Sequence, residues 1–340
     1  MLLISACSGD NNVPPRPVNA VIQGVNFIGS TVSDLEVTSD FYTNAVELQL
    51  SDEQEIVNDA VFNHLAGRSD VRLKTKLMKS SNTQVRFMQF ESPSEAAKNT
   101  KHVEINGPGF AHVCYQAQSQ TQAYQKFIKA GAIPIGDPDM IQLSIKNPVH
   151  YAYARDLDST PIEVEHVDIE KLNRTTPPKY KHRIRHVALA TPDFNRTIKF
   201  YSTLLEQEKP RIVGRFFSLS GEKFDAMSGL KDAELKMAFF HVRNIELEIA
   251  EYVSHPTSAP ETPRPIDALG YNMVVFDVTD LALAKQKLIT AGGTVETQPQ
   301  DMDGGKIFFG RDLDNNLLGF QLLEASSPYS AKNFDGDGSS

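Results

Sequence analysis

The chain repeats itself, and this restricts its fold more than any other feature of the sequence. Tyr153-Ala-Arg-Asp-Leu-Asp-Ser-Thr-Pro-Ile-Glu163 answers to Phe309-Gly-Arg-Asp-Leu-Asp-Asn-Asn-Leu-Leu-Gly319. Upstream of these, Phe127-Ile-Lys-Ala-Gly-Ala132 answers to Leu288-Ile-Thr-Ala-Gly-Gly293. The paired segments lie 156 and 161 residues apart. The chain is therefore a duplication of about 160 residues, its halves joined near Asn173-Arg-Thr-Thr-Pro-Pro-Lys179.

A second, weaker repeat divides each half. Four segments read as a short strand, with a helix start seven residues after a common reference position. The reference residues are Phe27, His112, His186 and Met273, and the segments end at Asp34, Ser119, Asp193 and Asp280. Asp and Ser cap a helix by accepting its orphan amide hydrogens. Apolar residues then recur at helical spacing, as in Phe194, Ile198, Tyr201 and Leu205. Stretches rich in β-branched and aromatic residues follow, among them 84–90, 235–241 and 245–252. The predicted class is α+β. The unit is a strand, a helix and about three strands, repeated at roughly 24–91, 108–167, 183–253 and 269–325.

Composition narrows the function. A length of 340 residues suggests about two domains. The formal charge is -9 with no basic block, so nucleic acid is a poor partner, because phosphate binding needs clustered cations. No apolar run approaches the ~18 residues of a membrane-spanning helix. Cys7 and Cys114 are the only cysteines, too few for a disulfide framework or a Cys-rich zinc site. Ile4-Ser-Ala-Cys7 resembles a bacterial lipobox, and the polar, Pro-rich residues 8–16 suit a tether. This reading predicts a lipid anchor at Cys7 and a place in the cell envelope. Against it stand the missing basic segment and the short apolar stretch. The alternative is a frayed N-terminus with a free Cys on a cytoplasmic protein.

The fourfold βαβββ pattern resembles the vicinal oxygen chelate superfamily, which includes glyoxalase I, methylmalonyl-CoA epimerase, extradiol dioxygenases and bleomycin-resistance proteins. The resemblance covers about 24–325. Its most specific pieces are Gly109-Phe-Ala-His-Val113, Arg185-His-Val187, Arg155-Asp-Leu-Asp-Ser-Thr-Pro-Ile-Glu163 and Ile245-Glu-Leu-Glu-Ile249. It implies modules paired into two incomplete eight-stranded barrels, with one metal ligand from the first strand and one from the last strand of each module. The chain then divides into a lipoprotein N-terminus and tether (1–20), a first domain (21–168), a linker (169–182), a second domain (183–325) and a disordered tail (326–340).

A catalytic divalent site needs imidazoles and carboxylates converging in a cup with open positions left over. At the first-strand position stand Phe27, His112, His186 and Met273; at the last-strand position, Arg86, Glu163, Glu248 and Gly319. Only modules two and three offer ligands. Pairing consecutive modules would leave two half-sites. Crossed pairing, which fused glyoxalase I relatives use, collects His112, Glu163, His186 and Glu248 in one barrel and leaves the other metal-free. An inward carboxylate without a compensating cation would cost several kcal/mol, on the order expected for an unpaired buried charge. Glu246 lies on the same strand face as Glu248, so a register shifted by two would exchange them. His150 and Tyr151 are expected at the surface, with the cup as the alternative; Arg86 is expected to be a salt-bridged structural residue, with anion binding as the alternative; and Cys114 is expected to be a small buried hydrophobe. The Pro-rich 255–265 stretch reads as the loop joining modules three and four.

By resemblance the activity is that of a glyoxalase-like lyase or isomerase, which chelates two vicinal oxygens of a small substrate and moves a proton through an enediolate or enolate. Glu163 is the base candidate and Glu248 the opposed ligand and second proton carrier. Zinc or nickel suits a two-His, two-Glu set; iron(II) or manganese are the other options. The alternatives are an iron(II) dioxygenase and a non-enzymatic ligand-binding protein of the bleomycin-resistance kind. An envelope location would count against a glutathione-adduct substrate. The expected assembly is a monomer with an internal pseudo-dimer.

Overall fold

A computed structural model describes residues 20–172, 179–213 and 218–337. The lipid-anchor reading at Cys7 falls outside them. Module one comprises β1 (Ile22–Thr31), α1 (Leu35–Val46), β2 (Gln49–Val57), α2 (Ala60–Leu65), β3 (Arg72–Lys79) and β4 (Gln84–Phe90), followed by the single turn α3 (Glu95–Lys98). Module two has β5 (Gly109–Gln118), α4 (Ala123–Lys129), β6 (Ile133–Ile135), β7 (Val149–Arg155) and β8 (Pro161–Val167). Module three has β9 (His182–Ala190), α5 (Phe194–Leu204), β10 (Arg211–Val213), β11 (Leu219–Ser220), α6 (Glu222–Ser228), β12 (Glu234–Val242) and β13 (Ile245–Tyr252). Module four has β14 (Gly270–Val278), α7 (Leu281–Ala291), β15 (Thr294–Val295), β16 (Gln300–Met302), β17 (Gly305–Arg311) and β18 (Leu317–Leu322).

The strands form two curled nine-stranded sheets. One runs β10-β12-β13-β9-β5-β8-β7-β6, with β11 beside β12. The other runs β15-β17-β18-β14-β1-β4-β3-β2, with β16 beside β17. Modules two and three thus share one sheet and modules one and four the other, as crossed pairing requires. Residues 21–168 and 183–325 do not make separate sheets; each contributes one module to each. Within every module the first and last strands run parallel, and antiparallel β5·β9 and β1·β14 join the modules.

Three of the four expected helix caps form. The carboxylates of Asp34, Asp193 and Asp280 accept from the amides of Val37, Arg196 and Leu283. Ser119 does not cap α4. It opens a 3-10 turn, Ser119–Thr121, and α4 starts after Gln122, whose backbone is left-handed. The first strands are buried on both faces, because period-two alternation sends one face to a shared core and the other into the curl of the sheet. Val113, Tyr115, Val187 and Leu189 go to the shared core, together with Phe41, Phe127, Phe200 and Leu288 from the helices. Helices of consecutive modules pack together, α1 on α4 and α5 on α7.

The repeated Arg-Asp-Leu-Asp motif is a clamp between consecutive modules. Asp156 Oδ1 accepts from the amides of Asp158 and Thr160, both at 2.9 Å, which shapes the β7–β8 turn around left-handed Ser159. Its Oδ2 accepts from Tyr42 of α1 at 2.8 Å. Asp312 does the same in module four, with Asp314 and Asn316 amides at 2.9 Å and Tyr201 of α5 at 2.8 Å. Between the sheets, the buried Asn82 bonds the backbone of Ile184 in β9, and the buried Asn244 bonds that of Val25 in β1. Each asparagine satisfies polar backbone that the sheet junction would otherwise bury unpaired.

The cup of the second sheet is filled from within. Arg86, fully buried, places Nη1 at 3.1 and 3.0 Å from the two oxygens of Asp303. Its guanidinium lies among the rings of Phe27, Phe62 and Tyr329. Phe62 comes from α2, so the segment between β2 and β3 packs this cup. Tyr329 comes from the segment expected to be a disordered tail. Residues 326–337 are instead ordered against the body, with Tyr329, Ala331 and Phe334 buried. Tyr329 donates to Asp52 at 2.7 Å, and the Ala331 amide donates to Asn26 Oδ1 at 2.8 Å. Two aromatic anchors outweigh the Gly/Ser-rich ending that suggested disorder.

Two stability measurements test these contacts. Burial pushes the Asp156 carboxyl up to about 6, against about 3.9 in an unfolded chain. The folded state therefore holds the extra proton between those values, and stability falls as pH rises from about 4 to about 6. Asp156→Asn is expected to flatten that fall by on the order of 3 kcal/mol, measured by urea denaturation at pH 4 and pH 7. Arg86→Met strands the Asp303 carboxylate and should cost about 3–5 kcal/mol, while the Arg86→Met, Asp303→Leu double variant should regain most of it.

Candidate metal centre

Four strands aim one side chain each at a single point inside the first sheet. His112 stands on β5, Glu163 on β8, His186 on β9 and Glu248 on β13, all buried. Period-two geometry accounts for the direction, since Val113 and Val187 face the shared core and their neighbours face the cup. Registers confirm the alignment of the four modules. Two residues past each reference position, Gly29 pairs with Arg86, Cys114 with Glu163, Ala188 with Glu248 and Val275 with Gly319. The two junctions match as well: Val113 pairs with Val187, and Ile28 with Val274. A register shift between Phe110 and His112, and another between Val25 and Phe27, precede the reference residue in both sheets.

The ligand atoms of His112, Glu163, His186 and Glu248 all lie within 4.8 Å of one another. The two Nε2 atoms are 3.3 Å apart. Glu163 Oε2 is 3.3 Å from His112 Nε2 and 2.9 Å from His186 Nε2, and Glu248 Oε2 is 3.1 Å from His186 Nε2. Ligands held ~2.0–2.2 Å from one cation stand about 2.8–3.6 Å apart in cis-octahedral or tetrahedral arrangement. The spacing fits a divalent ion. Two imidazole nitrogens turned on one another and on a buried carboxylate oxygen form a donor set that a cation would complete. This buried His/Glu cluster could hold a divalent metal.

Burial drives the Glu163 carboxyl up, but hydrogen bonds from His112 and His186 outweigh it and hold the group far below the ordinary range. Burial raises the Glu248 carboxyl, and the two imidazoles only partly oppose it. Burial pulls His186 down, yet Glu248 and Glu163 overcome this and raise it. The two carboxyl groups therefore sit in unlike electrostatic environments.

Glu246, two residues away, is not in the cluster. Its carboxylate binds Arg211 at 2.9 and 3.2 Å and lies 3.4 Å from Arg185. Burial raises it, but the two arginines hold it at about 2. Tyr151 lines the cup and His150 does not. Cys114 is fully buried behind Glu163, as a small hydrophobe would be. The Pro-rich 255–265 loop lies away from the cup, where Pro260 and residues 262–265 face 100–104.

Sequence reading passed over the wall of the cup. Tyr153 and Phe239 are the antiparallel partners of Glu163 and Glu248. Their rings meet the imidazoles edge-on, Tyr153 at 5.1 Å from His112 and Phe239 at 5.6 Å from His186. Strand pairing would have pointed to both. Nothing local marked Phe224 and Met227 of α6, which close the cup from above and leave a cavity of about 40 Å³.

The sequence model of the Glyoxalase/Bleomycin resistance protein/Dioxygenase superfamily matches residues 24–142 and 183–320. No curated protein matches the chain. Among solved structures, glyoxalase I from Zea mays is similar at 16% identity, covering 88% of this chain and 92% of that one with a TM-score of 0.58. A putative dioxygenase from Bacillus subtilis is similar at 12% identity, covering 88% and 85%, with a TM-score of 0.56. At these identities the likeness is one of fold. The matched regions span well over half of the chain and include His112, His186 and Glu248, with Glu163 lying between the two regions, and the chain belongs to the Glyoxalase/Bleomycin resistance protein/Dioxygenase superfamily.

Proposed function

We propose that the protein is a metal-dependent lyase or isomerase of the glyoxalase kind, acting on a small substrate that presents two vicinal oxygens. The observation that carries this reading is the convergence of two imidazoles and two carboxylates, one of each from modules two and three, within 4.8 Å. A divalent ion bound there, zinc or nickel by the donor set, would polarise the substrate oxygens and favour an enediolate or enolate. His112 and His186 would hold the ion from the two sides of the β5·β9 junction.

Glu163 is assigned the base and Glu248 the opposed proton carrier. Each sits where a carboxylate can hold the ion or reach a carbon-bound proton, since both lie within 4.8 Å of the two imidazoles. The apolar wall keeps water from competing for that proton. An iron(II) dioxygenase typically uses two imidazoles and one carboxylate with open positions. The fourth ligand here favours the proton-transfer reading.

Elemental analysis of protein loaded with zinc or nickel should find one divalent ion per chain. His186→Ala should lose that stoichiometry, and Glu163→Gln should keep it. A wild-type chain that takes up no ion would point to a binding protein instead. For the loaded enzyme, Glu163→Gln should lower the rate of proton exchange at a carbon beside the chelated oxygens by about 10²–10⁴, read by deuterium incorporation. Wild-type-like exchange in that variant would remove Glu163 from the assignment.

A further inference from the structure

The wall above the ligand cluster limits what can sit in the cup. Tyr153, Phe224, Met227, Met237 and Phe239 line it. The charged residues of the described lining, besides the cluster, are Glu165 and Arg185, and they form an ion pair with each other. Arg185 also reaches Glu246 at 3.4 Å and lies over the Phe239 ring at 5.4 Å. Arg211, which covers the same ring at 4.1 Å, is bound to Glu246 at 2.9 Å. Both guanidinium groups are thus already matched to carboxylates. The cluster supplies two negative charges, which one divalent ion cancels. An anionic substrate tail buried here would meet no unmatched counter-charge among the described residues, and an unpaired charge is disfavoured in such a setting.

Size adds a second limit. The cavity over the cluster is small, about 40 Å³. A substrate larger than this displaces part of the wall, and α6 is the short segment of that wall with an open glycine at its N-terminal end and its C-terminal end packed on the Gly136 backbone. Gly221 and Gly229, at φ 114° and 69°, flank it. A side chain added at Gly221 would meet nothing within 4 Å. Outside its apolar underside, α6 is held to the opposite module by the Asp137 amide on Ala226 O at 2.7 Å and Lys223 Nζ on Gln142 O at 2.6 Å. An occupant that lifts α6 stays in contact with Phe224 and Met227.

We infer that the cup takes a compact, uncharged substrate whose part beyond the two chelating oxygens is apolar and packs under Phe224 and Met227, and that it rejects adducts bearing carboxylates, such as peptide–thiol conjugates. This rests on the metal-dependent reading above. Hydroxamates test it, because one pair of vicinal oxygens can be kept while the tail changes. Cobalt(II)-loaded protein, its metal content first fixed by elemental analysis, is titrated with benzohydroxamate, 4-carboxybenzohydroxamate and acetohydroxamate, with the cobalt absorption band as readout. Benzohydroxamate should bind at least about tenfold more tightly than its carboxylate, a difference of about 1.4 kcal/mol. Phe224→Ala should weaken benzohydroxamate several-fold and leave acetohydroxamate nearly unchanged. Met227→Lys should narrow or reverse the preference against the carboxylate. Loaded protein that binds the carboxylate equally well or better overturns this inference alone. Unaltered selectivity in both variants overturns the placement under α6. Protein that retains no cobalt overturns the metal-dependent reading and this inference with it.

Discussion

The antiparallel junction between β5 and β9 is the contact on which the site depends. It puts His112 and His186 diagonally across one ladder, on the same face, either side of the Val113–Val187 pair. Each strand also carries its own module's last strand in parallel, β8 beside β5 and β13 beside β9. A single junction thereby gathers two imidazoles and two carboxylates. Were modules one and two to share a sheet, the same residues would be split between two cups with two ligands each. A one-residue slip at the junction would turn one imidazole into the apolar core.

The other sheet repeats this geometry with different chemistry. Its junction has the same register, and its equivalent positions hold Phe27, Met273, Arg86 and Gly319. A buried guanidinium paired with Asp303 occupies the cup, walled by Phe27, Phe62 and Tyr329. The cation is part of the chain, and no ligand set is needed to bring one in. Cups of this curvature leave an interior that must be filled, either by apolar packing around an internal ion pair or by a ligand and its cation. One cup of this chain is filled in the first way, and the other carries four side chains that could hold a cation.

The two sheets are kept in step by polar groups placed where backbone would otherwise be buried unpaired. Asn82 and Asn244, at the hairpin turns, bond backbone of the facing sheet. Asp156 and Asp312 fix their own turns and hold Tyr42 and Tyr201 of the preceding module. Sheets therefore join modules one with four and two with three, while helices and aspartate clamps join one with two and three with four. Every module is tied to two others, which resists separation of the halves.

Much of this was legible along the chain. The fourfold unit, the caps at Asp34, Asp193 and Asp280, and the reference positions all follow from local chemistry: which side chains cap a helix, and which alternate on a strand. Crossed pairing followed from counting donors, because two ligands alone hold a metal poorly. Where local signals compete, local reading fails. Ser119 has the chemistry of a cap, yet the chain makes a 3-10 turn there and starts α4 three residues later. The segment after 325 has the composition of a loose end, yet Tyr329 finds Arg86 and Phe27 and becomes core. Glu246 and Glu248 share a strand face, and only the neighbours across the sheet separate them: arginines for one, imidazoles for the other. The lid over the cup, with Phe224 and Met227, arises from α6 folding back on module two. The amino-acid sequence determined the modules and the four donors, since those rest on periodicity and residue type. The tertiary structure alone decided which carboxylate faces the imidazoles and what walls the cup, because those depend on contacts between residues distant in the chain.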